Sequence, residues 1–79
     1  MSAQPSDSFA RGVVKWYDAS RSFGFITCDD GNDVFAHIGA LQKSHIKIVD
    51  FKGGVRVEFQ AVRLPTKKHP EVTLVRIVK

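Results

Sequence analysis

The stretch FGFITCDDGNDVFAH, residues 23–37, decides the fold. At its centre DDGND is turn chemistry: Gly31 takes a positive φ at little cost, and the side chains of Asp30 and Asn32 hydrogen-bond nearby backbone. The flanking runs FGFITC and DVFAHI therefore read as the two strands of a hairpin. Alternate residues of a strand share a face, so Phe23, Phe25, Phe35 and His37 are expected on one side of the hairpin. Gly24, Ile26, Val34, Ala36 and Ile38 are expected on the other. A narrow interior is filled well by the small and aliphatic set and overcrowded by three phenylalanines and a titratable histidine, so the aromatic side is expected to face outward.

Working outward, RGVVKWY (residues 11–17) suits a strand. Its alternation fails where Lys15, Trp16 and Tyr17 adjoin, as a bulge or strong twist would require. DASRS, residues 18–22, supplies the next turn. The middle, residues 39–54, offers one helical turn around Ala40–Lys43 and scattered apolar residues at Ile46, Ile48, Val49 and Phe51. VRVEFQAV, residues 55–62, is a half-buried strand with Val55, Val57, Phe59 and Ala61 on one face. The basic loop RLPTKKHP precedes a fifth strand, EVTLVRIV, residues 71–78, in which both faces are largely apolar. Five strands with little helix would leave a hydrophobic face wet and two edges open as a flat sheet, so an all-β, five-stranded antiparallel β-barrel is predicted.

The chain has 79 residues, enough for one small core, and residues 1–8 are expected to be a flexible tail ahead of a domain spanning 9–79. Twelve Lys and Arg against eight Asp and Glu give a formal charge of +4. The segment 43–79 carries nine basic and three acidic side chains, which suits a polyanionic partner. A single cysteine, Cys28, excludes an internal disulfide, and no paired cysteines suggest a metal site. No cofactor is expected. The first ten residues lack a basic start and an apolar run, and no stretch approaches membrane-spanning length, so a cytoplasmic location without membrane association is expected.

Cations beside outward-facing rings suit a sugar-phosphate backbone threading past stacked bases. RSFGFIT, residues 21–27, matches most of the basic, glycine and aromatic pattern of sheet-surface RNA binders. Its partner DVFAH follows within ten residues, as a hairpin neighbour. The run GVVKWYDASRSFGFITCDDGNDVFAHIGAL, residues 12–41, resembles the cold-shock domain, and a looser correspondence runs to about Val78. The resemblance implies the oligonucleotide-binding (OB) fold. It also implies that Lys15 and Trp16 supply a phosphate contact and a stacking ring, that Phe23, Phe25, Phe35 and His37 stack bases, and that Asp33 contacts a base edge. Arg21 takes the place of the usual lysine, Tyr17 that of a phenylalanine, Asp18 that of an asparagine and Ser22 that of a glycine. Ile38 replaces a frequent phenylalanine platform, and Gly39 stands at a serine position. The final loop lacks the family's usual elements, leaving Lys67, Lys68 and His69 to attract phosphate.

The sequence thus leads to a monomeric, non-enzymatic binder of single-stranded DNA and RNA, acting as an RNA chaperone or as a regulator of transcription or translation. Its expected contact residues are Lys15, Trp16, Tyr17, Arg21, Phe23, Phe25, Asp33, Phe35, His37, Lys67 and Lys68. A β-barrel that uses the aromatic patch to bind protein is the competing expectation, since interfaces also favour aromatics and arginine. An enzyme would need a nucleophile, a metal cluster or a phosphate loop beside His37, and the sequence offers none.

Overall fold

Strand β1 (Ala10–Asp18) runs into the predicted hairpin of β2 (Phe23–Cys28) and β3 (Asp33–His37). Next come a six-residue helix α1 (Ile38–Lys43), a single 3-10 turn at Ile48–Asp50, and strands β4 (Arg56–Val62) and β5 (Glu71–Ile77). These elements belong to a computed structural model that describes residues 9–78, so the tail expected over 1–8 lies outside the described residues. Gly31 in the hairpin turn has φ +93°, as its sequence context requires.

The strands close into a barrel in the order β1-β2-β3-β5-β4. Four of the five neighbouring pairs are antiparallel, and β3 meets β5 in parallel at Phe35 and Glu71. The expected five-stranded, predominantly antiparallel barrel is what forms, and its one parallel pair has a topological reason. Five is odd, so strand directions cannot alternate all the way round a closed ring, and one pair must run the same way. The odd pair falls at the closure, where a Phe35 N–H donates to the Pro70 carbonyl at 2.8 Å.

Ile26, Val34 and Ala36 enter the barrel as expected, joined by Val14, Leu41, Val57, Phe59, Val72 and Val75. Phe51, from the poorly patterned middle, is only 1 % exposed and plugs the barrel with its ring edge-on to Tyr17 at 5.6 Å. Burying a side chain of that size contributes about 1.5–3 kcal/mol, so this loop residue matters as much as any strand residue. Helix α1 closes one end with Ala40 and Leu41, and the Ser44 hydroxyl that follows it accepts the Val75 N–H at 3.0 Å.

Three expectations shift locally. Ile38, expected on the inner face of the third strand, instead opens α1: the His37 Nδ1 accepts the Gly39 N–H at 3.1 Å and turns the chain out of the strand. Ala61, expected inside with Val57 and Phe59, is exposed. The ladder between β4 and β5 slips there, with Gln60 opposite Leu74 and Ala61 opposite Val72. The extra residue, Thr73, changes the phase of β5, so Val72 and Val75, three apart, both point inward. Two largely apolar faces on the fifth strand are the sequence trace of that bulge.

Ser22 ends the β1–β2 turn with φ +64°, a left-handed conformation that a Cβ disfavours by roughly 1–2 kcal/mol. Hydrogen bonds hold it there: its N–H donates to the Asp18 carbonyl at 2.8 Å, and its carbonyl accepts from Ile38 N–H at 2.9 Å. Replacement by glycine, Ser22→Gly, relieves the strain but adds freedom to the unfolded chain. The expected net gain is about 0.5–1 kcal/mol, read as a melting temperature raised by roughly 2–8 °C. An unchanged or lowered melting temperature would show that the strain at Ser22 does not exceed the entropic cost of a glycine there.

Candidate nucleic-acid interface

The interface is built on the outer faces of β1, β2 and β3. In β1 the ladder pairs Val14 with Ile26 and then Trp16 with Phe25, so Lys15 is the extra residue of a bulge. That bulge lets the consecutive side chains of Lys15 and Trp16 both stand in solvent, Trp16 being 40 % exposed. Tyr17 then falls on the inner side. Its ring packs against the core beside Phe51, and its buried hydroxyl has no hydrogen-bond partner among the described residues. The sequence grouped Tyr17 with the outward rings; the structure separates it from them.

The register of β2 on β3 places Phe25 opposite Phe35 and Phe23 opposite His37. The rings form a continuous row. Trp16 lies 5.6 Å from Phe23 and 5.4 Å from Phe25, Phe35 lies 5.5 Å from Phe23 and 5.6 Å from Phe25, and His37 lies 6.3 Å from Phe35. The three phenylalanines are half-buried by one another, while Trp16 and His37 are exposed. Because His37 Nδ1 is an acceptor in the α1 cap, the ring's hydrogen sits on Nε2, where it is available as a donor.

Charges surround the row. Lys15 Nζ donates to Asp33 Oδ2 at 3.0 Å, and the Thr27 hydroxyl donates to Asp33 Oδ1 at 3.0 Å. The Lys15 hydrogen bond is the main influence holding the Asp33 carboxyl below its ordinary value, helped by Thr27 and the nearby His69. Arg21 sits in the β1–β2 turn, outside the ring contacts, with Nε 3.7 Å from Asp18 Oδ2. Asp18 organises this turn by accepting from both the N–H and the hydroxyl of Ser20, at 3.0 and 2.7 Å. The Ser20 hydroxyl is the leading reason that its carboxyl also titrates low.

Two contacts come from the loop between β4 and β5. His69 is edge-on to Phe25 at 5.3 Å, and Lys67 Nζ stands 6.0 Å above Phe35. Lys67, Lys68, His69 and Glu71 wall a recess of about 160 Å³ floored by Phe35. From sequence, His69 counted only as a source of phosphate attraction and Glu71 only as the start of a strand. The one local signal for them was the run of charge around Pro70; their approach to the rings depends on how the barrel closes.

Outward rings at a strand-paired register, an adjacent lysine and a cationic loop beside them thus gather on one side of the barrel. Residues 10–77 match the model of the "'Cold-shock' DNA-binding domain" family. The chain belongs to that family. The cold-shock domain here is 41 % identical over 69 residues to the "Cold shock-like protein" of Thermotoga maritima, covering 87 % of this chain and 98 % of that protein. It is 40 % identical over 55 residues to a probable cold shock protein of Sinorhizobium fredii, covering 68 % and 77 % of the two chains. A shorter stretch of 41 residues is 49 % identical to the "Major cold shock protein" of a Streptococcus pyogenes strain, covering 52 % and 61 %. Among the described residues, no helix is long and apolar enough to cross a membrane.

The carboxylates of this cold-shock domain make its stability pH-dependent. Asp33, Asp18 and Glu58 all titrate below their ordinary values of 3.8, 3.8 and 4.5. For Glu58 the main cause is a hydrogen bond from Arg76 Nε at 2.7 Å, with Arg11 Nε at 3.1 Å on the other oxygen. A carboxylate with a depressed folded-state value favours folding above its unfolded value and ceases to do so as pH falls through the folded value. The melting temperature is therefore expected to fall progressively below about pH 4.5. Thermal unfolding followed by circular dichroism from pH 6 to pH 2.5 checks this, and a flat profile contradicts it.

Proposed function

We propose that the domain binds single-stranded DNA and RNA by stacking bases on Trp16, Phe23, Phe25, Phe35 and His37. The observation that carries this is the unbroken row of outward rings across three strands, flanked by cations on both sides. Lys15, Arg21, Lys67 and Lys68 attract the phosphates, and Asp33 steers Lys15 while a remaining lone pair of its carboxylate accepts from a base edge. Tyr17 acts from beneath, supporting the bulge that presents Trp16. Every base has a π-face, so the row accepts many sequences, and stacking contributes ~1–3 kcal/mol per base. A protein that captures unpaired strands in this way opens weak RNA hairpins without consuming nucleotide, which is the work of an RNA chaperone or of a regulator of transcription or translation. No step of this activity calls for a catalytic group, a cofactor or a second copy of the chain, and it fits a monomer in the cytoplasm.

Trp16 is the sole tryptophan and lies in the row, so its fluorescence reports directly on ligand. A seven-nucleotide thymine DNA strand is expected to quench it, with affinity falling as salt rises at a log–log slope of roughly 0.7 per neutralised phosphate. Absence of any change, with no binding by calorimetry, overturns the proposal. Self-association or peptide binding in place of strand binding would instead favour the protein-interface reading.

A further inference from the structure

We propose that Glu71 makes the site over Phe35 selective for guanine among the bases of a bound strand. This deepens the stacking reading and rests on it. Residues paired in register across adjacent strands project to the same side of a sheet, and Glu71 is the register partner of Phe35 at the parallel junction. Phe35 points outward in the ring row, so the Glu71 side chain stands on the same outer side, about one strand spacing (~4.8 Å) away. It also walls two neighbouring recesses, one floored by Phe35 with Lys67, Lys68 and His69, the other formed with His37, Gly39 and Lys43. A base stacked on Phe35 therefore turns an edge toward this carboxylate.

Four ion pairs are present among the described residues, and Glu71 takes part in none of them. Its two oxygens are acceptors only. On the open edge of a single-stranded base, guanine presents two adjacent donors, N1–H and the exocyclic amine, which match the two oxygens. Thymine and uracil present one N–H between two carbonyl oxygens, which the carboxylate repels. Cytosine and adenine, with an exocyclic amine beside a bare ring nitrogen, fall between. The lysines around the recess offset the cost of holding a carboxylate near the strand's phosphates and can donate to the guanine O6 on the far side. An acid at this position would otherwise weaken binding of any polyanion, and selectivity is the return that explains it.

The test titrates Trp16 fluorescence with all-thymine DNA heptamers and with heptamers in which one thymine is replaced by guanine at each position in turn. At one register the guanine strand is expected to bind at least about fivefold tighter, a discrimination within the range of a bidentate base contact. In Glu71→Gln, which exchanges an acceptor for a donor, that ratio is expected to fall to about twofold or less while all-thymine binding is kept or improved. Equal affinity for all strands in the unmodified protein overturns the inference, as does a Glu71→Gln variant that tightens every strand equally. Both results leave stacking intact. Failure of stacking itself is distinguishable, because then neither strand binds.

Discussion

Gly24→Ala is expected to cost about 3 kcal/mol of stability. A Cβ at Gly24 would overlap the Trp16 carbonyl oxygen and come within 2.8 Å of the Tyr17 Cα. Both obstacles are backbone atoms of the β1 bulge, so no rotamer change relieves them. The residue lies directly opposite Tyr17 in the ladder and is buried. A domain of this size has a total stability of roughly 4–12 kcal/mol. With a urea dependence of about 1–1.5 kcal/mol per molar, the unfolding midpoint should fall by about 2–3 M. A midpoint within about 0.5 M of the unmodified protein would mean that β1 and β2 can separate without penalty, contrary to the packing described. This also explains why glycine stands between Phe23 and Phe25: one side of β2 must present rings while the other receives the backbone of β1.

Phe25→Ala is expected to weaken strand binding by ~1–3 kcal/mol, or roughly 5- to 150-fold, while the fold is kept. Phe25 touches Trp16, Phe35 and His69, and so links rings from the first strand, the third strand and the loop before the fifth. Its removal takes away a stacking surface and also loosens Trp16 and the loop histidine that rest on it. Because the ring is half-buried on the outer side and absent from the barrel's interior, far-UV circular dichroism should change little. Titration of variant and unmodified protein with the same thymine heptamer separates the outcomes. Equal affinity would show that the ligand lies elsewhere, and loss of the folded spectrum would show that the ring belongs to the core.

The hairpin was the most legible part of the chain. Gly31 in its turn and the alternation on either side placed Phe23, Phe25, Phe35 and His37 on one face and Ile26, Val34 and Ala36 inside. The broken alternation at Lys15–Tyr17 announced a bulge but not which ring it would turn inward. Trp16 and Tyr17 have similar size and character, and only the pairing of Trp16 with Phe25 across the slipped ladder assigns one to solvent and the other to Phe51. Phe51 itself was hidden, because it enters the core from a segment with neither helical nor strand periodicity.

By itself the sequence determined the strands, the two faces of the hairpin and the four rings that the hairpin contributes to the row, because period-two alternation follows from local backbone geometry and survives any arrangement of neighbours. Tertiary structure alone decided what bulges and closure control. One inserted residue reverses every later side chain on its strand, as at Lys15 and Thr73. An odd number of strands forces a parallel seam whose partners are distant in the chain. That seam carries Glu71 to Phe35, and the loop leading into it lays His69 on Phe25, contacts that no local pattern records.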